Sequence, residues 1–148
     1  MLLTFLTLEN ISERPDMIIL MFHVDSFWFR PFSEESKESE TQESFGESLL
    51  VWIQAEGKDE DDRVAVLRKM VKNIRWLAKK HSLNRIILHS FAHLAESKAS
   101  PELASSLIEE TATRLRDRDY TVYCVHYGLN EFQMHVKGPS LSKVFKQF

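Results

Sequence analysis

Apolar positions fall along this chain in two rhythms, and the switches between them predict its elements. "MIILMFHVDSFWFRPF", Met17 to Phe32, is rich in β-branched and aromatic residues and is long enough for two strands or one bent strand. "SLLVWIQAEG" reads as a buried strand ended by Gly57. Val64, Leu67, Val71, Ile74 and Ala78 then recur at helical spacing behind an acidic start at Asp59 and Asp62, which predicts a helix from about 60 to 80. "NRIILHSF" from Asn84 is a short apolar strand. Ser100 before Pro101 is a capping residue ahead of a proline at the first helical position, so a second helix should run to about Asp117, its basic end formed by Arg114, Arg116 and Arg118.

"YTVYCVHYG" and "EFQMHVKG" have the character of paired strands joined through Gly128, Leu129 and Asn130. Phe132, Met134 and Val136 alternate with Gln133, His135 and Lys137, so this strand shows one face to solvent or to a cleft. A short C-terminal helix can start at Ser140. The order predicts an α/β fold, a single-domain mixed β-sheet with flanking helices and no internal repeat.

The polar positions divide the chain further. Residues 1–16 read as an N-terminal extension, because "MLLTFLTL" is short, lacks a basic start and runs into "ENISERPD", which suits neither a signal peptide nor a membrane span. Residues 17–148 form the domain, interrupted at 33–48 by "SEESKESETQESFGES", a polar acidic loop with six Glu and one Lys. Residues 63–80 carry seven Lys or Arg and no acid. The net charge of −3 excludes an indiscriminate polyanion binder, yet this segregation suits docking of an RNA backbone as well as a solvated surface. One cysteine, Cys124, excludes an internal disulfide framework and points to a reducing, cytoplasmic setting.

Candidate chemistry is sparse. His89 and His93 are four apart, but the first falls at a strand end and the second in the turn beyond, where helical spacing brings nothing together. A zinc site would need a third ligand from His23, Asp25, His126 or His135, none at a signature spacing, so no metal is assigned. Cys124 reads as an inert mid-strand thiol. There is no G-x-S-x-G, Walker or G-x-G-x-x-G sequence.

"SFAHLAESKASPELASSLIEE", followed by a strand, "YG", "EF" and "KGPSL", resembles the N-terminal editing domain of archaeal-type threonyl-tRNA synthetase. "MIILMFHVDS", ending in His-x-Asp, matches that family's first strand, and "LLVWIQAEGKD" its third. The resemblance implies a fold shared with D-aminoacyl-tRNA deacylases, usually homodimeric, that hydrolyses serine wrongly attached to threonine tRNA without a cofactor or a membrane. Such editing answers a physical limit, since a missing methylene gives only about 1–3 kcal/mol of discrimination.

The resemblance also implies roles for particular residues. Ala55 and Ala92 offer backbone contacts to the amino acid, Phe91 and Tyr127 wall the pocket, His93 holds the tRNA 3′ end or the attacking water, and His23 lies nearby. Asn130 is a further substrate contact. Two departures stand out: "YGLNEF" has Leu129 where the family has an aromatic and lacks its lysine, and the family's glutamate falls on Lys143. Lys143 is therefore a catalytic candidate as a replacement ammonium. The expected protein is a freestanding deacylase acting on aminoacylated tRNA. The alternative is a degenerate editing domain that only binds tRNA or an aminoacyl-tRNA synthetase through its basic helix.

Overall fold

The first apolar run forms one bent strand, β1 (Ile18–Pro31), with a register irregularity between Val24 and Ser26. It is seen in a computed structural model that describes residues 17–31, 42–91, 100–125, 130–138 and 143–148. The first half of β1 pairs antiparallel with β3 (Ser48–Gln54) and with β7 (Lys143–Gln147). Its second half pairs antiparallel with β2 (Glu43–Phe45) and β6 (Asn130–Val136). Beyond β3 the sheet continues in parallel through β4 (Arg85–Ser90) to β5 (Thr121–Val125).

Parallel neighbours need long crossovers, and here two helices supply them. Helix α1 (Arg63–Lys80) links β3 to β4, and α2 (Pro101–Arg116) lies between β4 and β5. Because strand side chains alternate, β3 feeds two cores. Leu49, Val51 and Ile53 pack under the helices with Leu67, Met70, Ile74, Leu77, Leu107, Ile108 and Leu115. Leu50 faces the other way, into a second core with Phe22, Val24, Phe27, Phe29, Ile87 and Val125. The bend in β1 lets β2 and β6 curl back over β4 and β5, so that Phe45 of β2 meets Tyr123 of β5 at 4.7 Å between ring centroids.

Several local expectations hold. Ser100 caps α2, its Oγ accepting from Leu103 N–H at 3.2 Å, with Pro101 next. Ser100→Ala should lower stability by about 1 kcal/mol, measured as a shift in urea midpoint; an unchanged midpoint would mean that the cap contributes nothing. Phe132, Met134 and Val136 are half-buried and their alternating neighbours exposed, as the sequence implies.

Others are corrected. Gly57–Glu60 is a 3-10 turn, with the Asp59 carboxylate accepting from Glu56 N–H at 2.6 Å, so α1 starts only at Arg63. Val64 is 74% exposed and leaves the apolar stripe to Val66, Leu67, Met70 and their successors. The acidic loop of 33–48 is shorter at its end, because Glu43–Phe45 pairs with β1 and Ser48 opens β3. β5 and β6 are not partners: β5 adds to β4, and β6 is claimed by the long second half of β1. The residues expected to form a C-terminal helix include strand β7, which covers the edge of β1 that β3 leaves open. Residues 1–16 lie outside the described residues.

Candidate functional site

The parallel strands β3, β4 and β5 all deliver their carboxyl ends to one edge of the sheet. That edge is where open α/β sheets place ligands, because the chain leaves each strand there as a loop. Ala55 and Glu56 follow β3, and Phe91 follows β4, held by its N–H donating to Ile53 O at 2.9 Å. The Ala55 side chain is 3% exposed and belongs to the helix-side core, so its backbone is what it can offer to a ligand. Glu56 is buried too, its carboxylate accepting from Gln54 Nε2 at 3.2 Å.

On the curled face this edge has an aromatic wall. Phe91 stacks on Trp52 with ring centroids 4.2 Å apart and planes 7° from parallel. Phe132 stands edge-on to both Trp52 and His89, at 6.0 and 5.3 Å, because the curl brings β6 back over β3 and β4. Trp52, His89 and Phe91 share a face because they lie at alternate positions of adjacent strands, with Trp52 opposite His89 in the register.

His89 is the buried polar member of this wall. Burial among Phe27, Phe91 and Phe132 lowers its pKa to about 4, since the apolar rings cannot solvate an imidazolium. Its Nδ1 and the Trp52 Nε1 are both out of solvent with no hydrogen-bond partner among the described residues. The unfolded chain binds this proton near pH 6.5 and the folded chain does not, so His89 costs stability as pH falls from 6.5 towards 4. The loss should reach about 3 kcal/mol near pH 4. Urea midpoints of the protein and of His89→Gln across this window isolate it, because the carboxylates are common to both. Parallel curves would mean that His89 is not the group being protonated.

The sequence candidates divide in space. Ala55 and Phe91 come together at the strand edge. Asn130 opens β6 opposite Pro31, two residues before Phe132. His23 does not reach the edge: it pairs with Leu49 at the other end of the β1–β3 ladder, its ring 4.8 Å from that of His81. His23 Nε2 is 3.7 Å from Glu47, too far for a hydrogen bond. Lys143 opens β7 opposite Phe22, which is level with Leu50 and so five residues along the strand from Ala55, about 16 Å. Ala92, His93 and Tyr127 lie outside the described residues.

Among the described residues no three His, Cys, Asp or Glu side chains are grouped to hold a metal. His135 is instead paired with Asp25 at 3.2 Å on the surface. Burial, with a smaller contribution from Glu109, pushes the Cys124 thiol up to about 11, so it stays protonated. The reading from sequence missed Trp52, Phe132 and Glu56. The signal for Trp52 was its i, i+2 relation to Gln54 on a strand that should otherwise be wholly apolar.

The model of the Archaea-specific editing domain of threonyl-tRNA synthetase matches residues 17–148. The chain belongs to that family. Relatives include a threonine–tRNA ligase of Methanobrevibacter smithii, 28% identical over 134 residues. Another, from Methanothrix thermoacetophila, is 30% identical over 134 residues. In each case the match covers 86% of this chain and 22% of the relative. The editing-family chain thus spans about a fifth of the length of the curated relatives it matches. A solved structure described as a probable eukaryotic D-amino acid tRNA deacylase shares the fold, with a TM-score of 0.61 and 10% identity over 89% of this chain and 99% of that one. No helix among the described residues is long and apolar enough to cross a membrane.

Proposed function

We propose that this editing-family chain is an aminoacyl-tRNA deacylase that acts on a tRNA carrying the wrong, serine-type amino acid. The observation that supports this most directly is the Phe91–Trp52 stack at the carboxyl edge of β4. It sets an aromatic wall immediately before Ala92 and His93 in the chain, where the family's Phe-Ala-His-Leu motif falls.

In this reading the tRNA 3′ end enters at the edge between the loops after β3, β4 and β5. Main-chain groups at Ala55 and Ala92 contact the amino acid, and the Glu56 carboxylate, one residue from Ala55, faces the ammonium group of that amino acid. Phe91 and Tyr127 wall the amino acid, and His93 orients a water or the terminal ribose. The water attacks the ester carbonyl and the bond from that carbon to the ribose oxygen breaks. A proton from the water ends on the ribose hydroxyl, and the free amino acid leaves. Catalysis of this kind depends on positioning more than on a strong base, which suits a site of small residues and exposed amides. This reading assigns no step to His23 or Lys143.

The test is hydrolysis of threonine tRNA charged with serine, with threonine and with a D-amino acid by the purified protein. Selective loss of the serine ester is the expected result. Equal loss of the serine and threonine esters would remove the specificity assigned here, and survival of all three would remove the activity.

A further inference from the structure

A groove of about 780 Å³ lies between α1 and α2, well away from the strand edge. Arg68, Lys72, Arg75 and Lys79 line it from α1, and Arg114 and Arg118 from the α2 side, with Asp117 the one acid among the described residues. The four α1 cations follow an i, i+4, i+7, i+11 pattern, which sets them along one face over about 17 Å of helix. Their charge is poorly compensated. Arg63 takes Glu110 at 2.7 Å and Arg114 shares that carboxylate at 3.3 Å. Arg68, Lys72, Arg75, Lys79 and Arg118 make no ion pair with another described residue. The Arg75 Nε is out of solvent with no acceptor among the described residues.

Trp76 is 48% exposed in the same groove. Lys80 and Lys146 approach its ring at 5.1 and 5.6 Å and extend the positive rim. A row of unpaired cations beside an exposed aromatic plane has the chemistry of a nucleic-acid backbone site. The cations meet successive phosphates, and the indole meets a ribose or base face.

We propose that this groove docks the RNA backbone of the tRNA body while the 3′ end reaches the strand edge. The identity of the RNA rests on the deacylase reading; the groove itself does not. The placement suits both tasks, since α1 begins beside the carboxyl end of β3 and runs away from it, so a strand entering at Glu56 can continue along the cationic face. RNA fits better than an acidic peptide, because among the described residues Val71 and Trp76 are the only apolar side chains lining the groove. The overall charge of −3 further confines polyanion binding to this face.

The experiment measures binding of fluorescent, uncharged tRNA over a salt series for the protein, for Lys72→Glu with Arg75→Glu, and for Lys69→Glu, which changes charge on the same helix outside the groove. The double reversal should weaken binding tenfold or more. It should also flatten the slope of log K against log salt by about 1.5, as expected for the loss of two phosphate contacts. Lys72→Gln with Arg75→Gln should act in the same direction with a smaller effect, which guards against a folding defect in the reversal. Unchanged binding by both double variants, or an equal loss in Lys69→Glu, overturns the proposal. So does groove-dependent binding to phosphatidylserine vesicles that exceeds binding to tRNA. A seryl ester on a 3′-terminal trinucleotide separates this proposal from the deacylase reading. Its hydrolysis should be untouched by the groove variants. If no ester is cleaved but tRNA binding still depends on the groove, the docking surface stands and the deacylase reading falls.

Discussion

His93→Ala should slow release of serine from threonine tRNA by roughly 100-fold, the scale on which one positioned polar group contributes to acyl-transfer chemistry. Such a group lowers the barrier by holding the attacking water or the terminal ribose where charge develops, so the loss should appear in kcat. KM should change little, because most contact with a large RNA is made elsewhere. His93→Gln, which keeps a polar nitrogen, should recover part of the rate if the role is a hydrogen bond. Single-turnover hydrolysis of the serine ester measures both variants. A rate unchanged in His93→Ala would detach the Phe-Ala-His-Leu resemblance from the chemistry assigned to it.

The second large effect is on stability. Phe27 is 1% exposed, and its ring lies 6.0–6.4 Å from those of Phe29, Phe45, His89 and Phe132. These residues come from β1, β2, β4 and β6, so Phe27 ties the curled half of the sheet to the flat half. Phe27→Ala should cost about 3–5 kcal/mol, a large share of the roughly 5–15 kcal/mol that holds a domain of this size folded. Phe27→Leu, which keeps more of the volume, should cost clearly less. Urea titration gives both values. If Phe27→Ala lost under 1 kcal/mol, the curl would not depend on this cluster. Ester hydrolysis should fall with Phe27→Ala even where the protein stays folded, because His89 and Phe132 stand on the site wall.

Local patterns carried much of the fold into the sequence. Both helices, the strand-helix-strand-helix-strand order from Ser48 to Val125, and the alternation of β6 follow from periodicity and capping residues that act within a few positions. What the sequence left open depends on partners far along the chain. Leu141, Val144, Phe145 and Phe148 have helical spacing, and "KVFKQ" is a strand only because β1 offers a bare edge beside it. Likewise β5 and β6 look like a hairpin, and only the length of β1 explains why they separate. At the candidate strand edge, Ala55 and Phe91 were legible as motif residues. Trp52 and Phe132 were hidden because an aromatic on a strand reads as core until the curl is known. His23 sits in a convincing motif, His-x-Asp, yet strand direction carries it to the opposite end of the sheet.

The pairing of β1 with β7 also bears on how the protein is made. Phe148 N–H donates to Met17 O at 2.8 Å, and Ile18–Phe22 pairs with Lys143–Gln147, so contacts essential to the sheet join segments about as distant in sequence as the domain allows. A nascent chain can assemble β3, α1, β4, α2 and β5 from neighbours, but one edge of β1 must wait for residues 143–148 to be synthesised. Contacts of such long range slow folding, and an unpaired edge is a template for association with other chains. Synthesis therefore passes through an interval in which most of the fold can form while its longest strand remains open to the wrong partner.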